Sequence, residues 1–158
     1  FTEIQGAIRK AAPAAMGVTL MRRMMLRIAA RIAKQEHIPA LITGESVGQV
    51  ASQTLESMAA INEVTHMPII RPVVTMDKAE IIQLAEEIGT YDISVLPYED
   101  CCTIFIPEHP ETKPRLERLH KAEEQLDIDG LIEEAVRRIE RLEIFDRLSQ
   151  AAAPAGRA

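Results

Sequence analysis

The stretch IPALITG, residues 38–44, runs straight into ESVGQVASQTLESMAAINEVT, residues 45–65, and this junction decides the fold. A short apolar run ending in Gly reads as a buried strand that stops at a tight turn. The segment after it places Val47, Val50, Ala51, Leu55, Met58 and Ile61 at helical spacing. A strand, a turn and a helix in that order form half of a βαβ unit.

Working outward, the same alternation continues on both sides. Upstream, GVTLMRRMMLRIAARIAKQE (17–36) repeats Val18, Met21, Met25, Ile28 and Ile32, an apolar helical stripe with its arginines mostly off it. Downstream, PIIRPVV (68–74) is β-branched and punctuated by prolines, so it reads as a strand with Pro72 near its end or at an edge. Asp77 and Glu80 have the spacing of a capping box. The helix they open carries Ile81, Leu84, Ala85 and Ile88 and stops at Gly89. ISVLP (93–97) is expected to be a last short strand. Helix, strand, helix, strand, helix, strand implies an α/β unit with right-handed crossovers and a parallel sheet carrying helices on its faces. Three strands are few for a closed α/β domain, so the sheet is incomplete in this chain.

Beyond Pro110 the character changes. KPRLERLHKAEEQLDIDGLIEEAVRRIERLEIF (113–145) is charged and helical, with Gly130 as the expected break between two helices. Leu116, Leu119, Ala122 and Leu126 make one face, and Leu131, Ala135, Ile139 and Leu142 another. SQAAAPAGRA (149–158) has little to bury and is expected to be frayed.

Composition sets the bounds. Of 158 residues, 47% are apolar but only 3% aromatic, so the core must be aliphatic, with seven Met available to fill it. A net charge of −6 argues against this segment alone offering a broad phosphate-binding face. No apolar run approaches ~20 residues, and the opening FTEIQGAIRK has no signal-peptide character. The two cysteines give no disulfide framework, so a reducing cytoplasm is the expected compartment.

Several residues could carry chemistry. Gly44, at the carboxyl end of a strand, would let a ligand come close to backbone N–H groups. Plain turn duty is the alternative. Arg22 and Arg23 are either a solvated helix flank or a guanidinium aimed at a phosphate. Gln53 is equally open. Lys78 in a first helical turn opposes the helix dipole, which tilts it slightly toward binding an anion. His37, His66, His109 and His120 are scattered and have no metal-site spacing with the cysteines. Neither a dinucleotide fingerprint, a Walker loop nor a G-x-S-x-G elbow is present.

PYEDCCTIF (97–105) holds Cys101 and Cys102 side by side. Adjacent cysteines rarely meet disulfide geometry, so a bridge between them would be strained. Glu99 and Asp100 would raise a neighbouring thiol's pKa, so neither cysteine is a ready-made thiolate. Inert packing is one reading. The other is sulfur exchange with an activated sulfur species.

The blocks MRRMMLRIAARIA, TGESVGQVASQTLE, PIIRPVVTMDKAEIIQLAEEIG and PYEDCCTIF together resemble the tRNA 4-thiouridine synthetases, sulfurtransferases also used in thiamine biosynthesis. The likeness runs from about residue 1 to about residue 145. It implies the C-terminal part of a PP-loop ATP-pyrophosphatase domain, a Rossmann-like α/β fold, over 1–145; the tail over 146–158, which the likeness does not cover, is expected from its composition to be disordered. It also implies that ATP, with Mg2+, adenylates a tRNA uridine, and that a persulfide sulfur then displaces AMP. By the same resemblance Arg22, Gly44 and Gln53 match ATP-contacting positions, Lys78 matches a lysine needed for activity, and Cys101 matches the cysteine that forms a transient disulfide. Implied partners are tRNA, held through N-terminal domains absent here, and a persulfide donor of the cysteine desulfurase or rhodanese type. Apart from the resemblance, the charged C-terminal helices could pack against a second subunit, so a homodimer is a further expected partner; a membrane is not. The family's phosphate loop, Ser-Gly-Gly-x-Asp-Ser, is absent and is expected upstream of Phe1, so this piece should be inactive alone. Two other functions remain open: a non-catalytic interaction or dimerisation module, and another PP-loop nucleotide-activating ligase.

Overall fold

Pro13 has no N–H to donate and stands where a helix start leaves that donor unused. It is the N-cap residue between α1, Thr2–Ala11, and α2, Ala14–Gln35, in a computed structural model that describes residues 1–98 and 111–142. The chain then forms β1, Leu41–Ile42, a 3-10 turn, Ala51–Gln53, α3, Leu55–Asn62, and β2, Ile69–Ile70. Next come α4, Lys78–Glu87, α5, Tyr91–Ser94, α6, Leu116–Glu123, and α7, Ile128–Arg137.

The long helix α2 is the pole of the molecule and touches α1, α3, α6, α7 and β1. Its Leu20, Met21 and Met24 are buried against Ile4 and Ile8 of α1, Ala60 of α3, Leu119 and Ala122 of α6, and Ile132 of α7. Each large aliphatic side chain fully buried there contributes about 1.5–3 kcal/mol. The core is therefore aliphatic and rich in Met, as the composition demands. Because neighbours surround α2, burial spreads beyond the expected stripe: Leu20, Met24 and Leu26 are buried, while Val18, Met25 and Ile28 are only half-buried.

β1 and β2 run parallel, with Leu41 opposite Ile69 and Ile42 opposite Ile70, and α3 lies between them in the chain. This is the βαβ order read from 38–74, in an α-rich chain whose small parallel sheet makes it a partial Rossmann-like unit. Pro72 follows the second strand closely, as a residue without an N–H should. Ile42 and Ile70 remain exposed. No helix among the described residues is long and apolar enough to cross a membrane.

Several local expectations are corrected. The helix after Gly44 does not begin at Val47. Gly48 adopts φ +82°, outside the helical region, and α3 starts only after Thr54, whose hydroxyl accepts from the Ser57 N–H at 3.1 Å. ISVLP is not a strand. Gly89 at φ +71° ends α4, and Tyr91–Ser94 then forms one helical turn, with the Ser94 hydroxyl donating to the Thr90 carbonyl at 2.8 Å. Gly130 does not separate two helices; it lies in the first turn of α7, where its N–H donates to the Asp127 cap at 3.1 Å. A Cβ there would fall 2.3 Å from an Asp127 carboxylate oxygen, so Gly leaves room for the cap. The Asp77–Glu80 capping box is present as expected.

Arg23 is not a solvated flank: it is fully buried. Its guanidinium grips both oxygens of Glu123 at 2.8 Å each, donates to Glu63 at 2.8 Å, and bonds the Ala60 carbonyl. Arg27 adds two bonds to Glu123, at 2.6 and 2.9 Å. Burial alone would raise the Glu123 carboxyl. The hydrogen bonds and charges of Arg23 and Arg27 outweigh that and bring it down to about 2. A folded pKa below the unfolded value of 4.5 stabilises the fold above that unfolded value and is lost as pH falls through the folded one. Wild-type stability should therefore drop by about 3 kcal/mol between pH 5 and pH 2 on account of Glu123. Urea unfolding at a series of pH values should show a flatter acid limb for Glu123→Gln, and identical limbs would refute this role.

Candidate functional site

In open α/β sheets ligands bind outside the carboxyl ends of the strands. Three parts of the chain meet there. The loop leaving β1 contains Thr43, Gly44, Glu45 and Ser46, and the segment leaving β2 begins with Arg71. The Ser46 hydroxyl donates to the Met76 carbonyl at 2.6 Å, and the Val47 N–H donates to the Val74 carbonyl at 3.0 Å, so the two loops are sewn together. The third part is α2, which contributes Arg22.

Glu45 is the hub. It is only 5% exposed, yet it is a carboxylate, so its charge must be met by donors. Arg22 forms an ion pair with it, Arg71 donates from Nε at 2.6 Å, and the Thr43 hydroxyl donates at 2.8 Å. Arg22 also donates to the Ser52 carbonyl at 2.8 Å, and Arg71 donates to the Asn62 side-chain oxygen at 2.6 Å. Burial pushes the Arg71 guanidinium below its ordinary pKa.

The site residues expected from the sequence can now be placed. Arg22 touches Glu45, the neighbour of Gly44, and Ser52, the neighbour of Gln53, so these three expected residues lie in one cluster. Gln53 sits in the 3-10 turn rather than two turns into a helix, and its carbonyl accepts the Gly48 N–H at 3.0 Å. Its side-chain oxygen is buried with no donor among the described residues. A Cβ built on Gly44 meets nothing within 4 Å, so the space beside it is open. Lys78 is exposed and opens α4, two residues beyond the Met76 carbonyl that Ser46 holds. Cys101 and Cys102 lie outside the described residues. The chain is described again from Glu111, and the Thr112 carbonyl accepts from the Thr54 hydroxyl at 2.6 Å, one residue along from Gln53.

Sequence reasoning missed Glu45, Arg71 and Thr43. The signal was present, since Glu45 follows the turn glycine directly and Arg71 sits at the end of PIIR. A residue just past a strand's carboxyl end merits attention whatever its type. A cleft of about 410 Å³ between the start of α1 and the end of α7 shares no lining residue with this cluster. Among the described residues, no three His, Cys, Asp or Glu side chains gather as a metal site.

A tRNA sulfurtransferase of Halothermothrix orenii, described as probable, is 63% identical over 146 residues, which cover 91% of this chain and 37% of that protein. The crystal structure of a 4-thiouridine synthetase–RNA complex with bound ATP superposes with a TM-score of 0.80 at 43% identity, covering 87% of this chain and 36% of that one. The chain thus spans little more than a third of the relatives it matches. The family model of the thiamine biosynthesis protein ThiI matches residues 1–128, most of the chain, and it is to this ThiI family that the chain belongs.

Proposed function

We propose that this chain is the C-terminal part, over residues 1–145, of the PP-loop catalytic domain of an ATP-dependent tRNA sulfurtransferase that forms 4-thiouridine and also serves thiamine biosynthesis. The observation that carries the reading is the cluster in which Arg22, from α2, meets the loop of Gly44 and the turn of Gln53 at the carboxyl ends of two parallel strands. When bound, ATP supplies the adenylyl group that activates the uridine oxygen for replacement by sulfur. In this chain Arg22 provides fixed positive charge for the nucleotide, Gly44 leaves the backbone open to it, and Gln53 offers a buried acceptor to a ligand N–H or O–H. Lys78 stabilises the charge that grows on the departing pyrophosphate.

Ile42 and Ile70, exposed on the two strands, support the view that more of the same domain packs on this sheet. tRNA would be held through other domains of the intact protein, and the sulfur would come from a persulfide on a separate donor protein. The cytoplasm is the proposed compartment.

The test uses the intact protein with its sulfur donor. It should thiolate a tRNA uridine only when ATP is present. Lys78→Met should lower the thiolation rate by about 10²-fold or more while ATP affinity changes little. Equal losses in rate and affinity would make Lys78 a binding group only. ATP-independent thiolation, or none, would overturn the assignment.

A further inference from the structure

Ser46 stands two residues past Gly44 but works in another direction. A Cβ at Gly44 would meet open space, whereas Ser46 is only 2% exposed. At that burial its hydroxyl is closed to a ligand arriving from solvent and needs a partner inside the fold. Its hydrogen goes to the Met76 carbonyl at 2.6 Å, 30 positions along the chain. The next residue adds a second tie, with the Val47 N–H on the Val74 carbonyl at 3.0 Å.

These two bonds hold the start of α4. Met76 immediately precedes the Asp77 N-cap, and Lys78 is the first helical residue. The capping box stiffens that turn from both sides: the Glu80 N–H donates to the Asp77 carboxylate at 2.9 Å, and the Asp77 N–H donates to the Glu80 carboxylate at 2.7 Å. A shift at Met76 is therefore passed to Lys78 through constrained backbone. No residue of α4 is buried, so packing within this chain does little to fix its start.

We infer that Ser46 is a positioning residue for Lys78: its hydroxyl couples the loop leaving β1 to the first turn of α4 and so sets where the lysine stands relative to the departing pyrophosphate. The inference rests on the role proposed above for Lys78. A lysine is a point charge on a flexible stem, so the placing of its backbone decides how much ordering the ammonium still needs when the reaction begins.

The test follows tRNA-dependent pyrophosphate release by the intact protein at saturating ATP. Ser46→Ala should slow it by about 10-fold, the worth of one well-made hydrogen bond, while ATP affinity stays within about twofold of wild type. In the Lys78→Met background Ser46→Ala should cost less than about twofold further, because the group it positions is gone. A merely structural role would lower the rate by the same factor in both backgrounds, and that outcome would overturn the inference. So would a Ser46→Ala rate equal to wild type, or a loss of ATP affinity as large as the loss of rate. Asp77→Ala opens the capping box and should reproduce the same pattern; if Ser46→Ala fails to fold, the result for Asp77→Ala decides. Were Lys78→Met itself to release pyrophosphate at the wild-type rate, the role of Lys78 would fail, and the positioning role of Ser46 with it.

Discussion

Arg23→Met should lower the stability of this fold by about 3–5 kcal/mol, seen as a large fall in the urea midpoint. The side chains are similar in length, so little packing volume is lost. What is lost is the partner of a buried carboxylate. Glu123 would keep only Arg27, and the Ala60 carbonyl would lose its donor. The double variant Arg23→Met/Glu123→Leu should recover much of the loss, because it removes the charge left without its main partner. Arg27 can turn to water at its partly exposed position. A single variant within about 1 kcal/mol of wild type would show that the network contributes little.

The second large effect concerns sulfur. On the proposed reading, Cys101→Ser in the intact enzyme should reduce 4-thiouridine turnover by about 10³-fold or more, equivalent to about 4 kcal/mol of barrier. A serine hydroxyl cannot form the disulfide through which the persulfide donor is resolved. Adenylation, followed as tRNA-dependent pyrophosphate release, should stay near the wild-type level, because that step needs the nucleotide site and not the thiol. Cys102→Ser should be milder. Wild-type turnover by Cys101→Ser would move the sulfur chemistry elsewhere and leave the pair as packing.

Local signals in the sequence carried the fold a long way. The strand–helix–strand order, the parallel pairing and the Asp77–Glu80 box all follow from periodicity and capping chemistry, which act within a few residues. The failures have equally local causes. Val47 and Val50 fit a helical stripe, but Gly48 turned to positive φ and Thr54 placed the true cap later. ISVLP had strand-like composition, yet the described sheet ends at β2 and its backbone closed a helical turn instead. Arg23 was illegible for another reason. Its partner Glu123 lies 100 positions away, and no neighbouring residue announces it. In the candidate site, resemblance supplied Arg22, Gly44 and Gln53. Glu45 and Arg71 emerged only when two loops and a helix were brought together.

The sheet has a consequence of its own. Its strands are two residues long, and Ile42 and Ile70 stand open to water, while the deep core lies among α1, α2, α3, α6 and α7. Amide protons at Leu41 and Thr43, which bond Pro68 and Ile70, therefore answer to a much smaller opening free energy than those along α2. The loops bearing Glu45 and Arg71 hang on the part of the molecule that opens first. Ligand capture there would slow exchange at the sheet while leaving the helical pole unchanged.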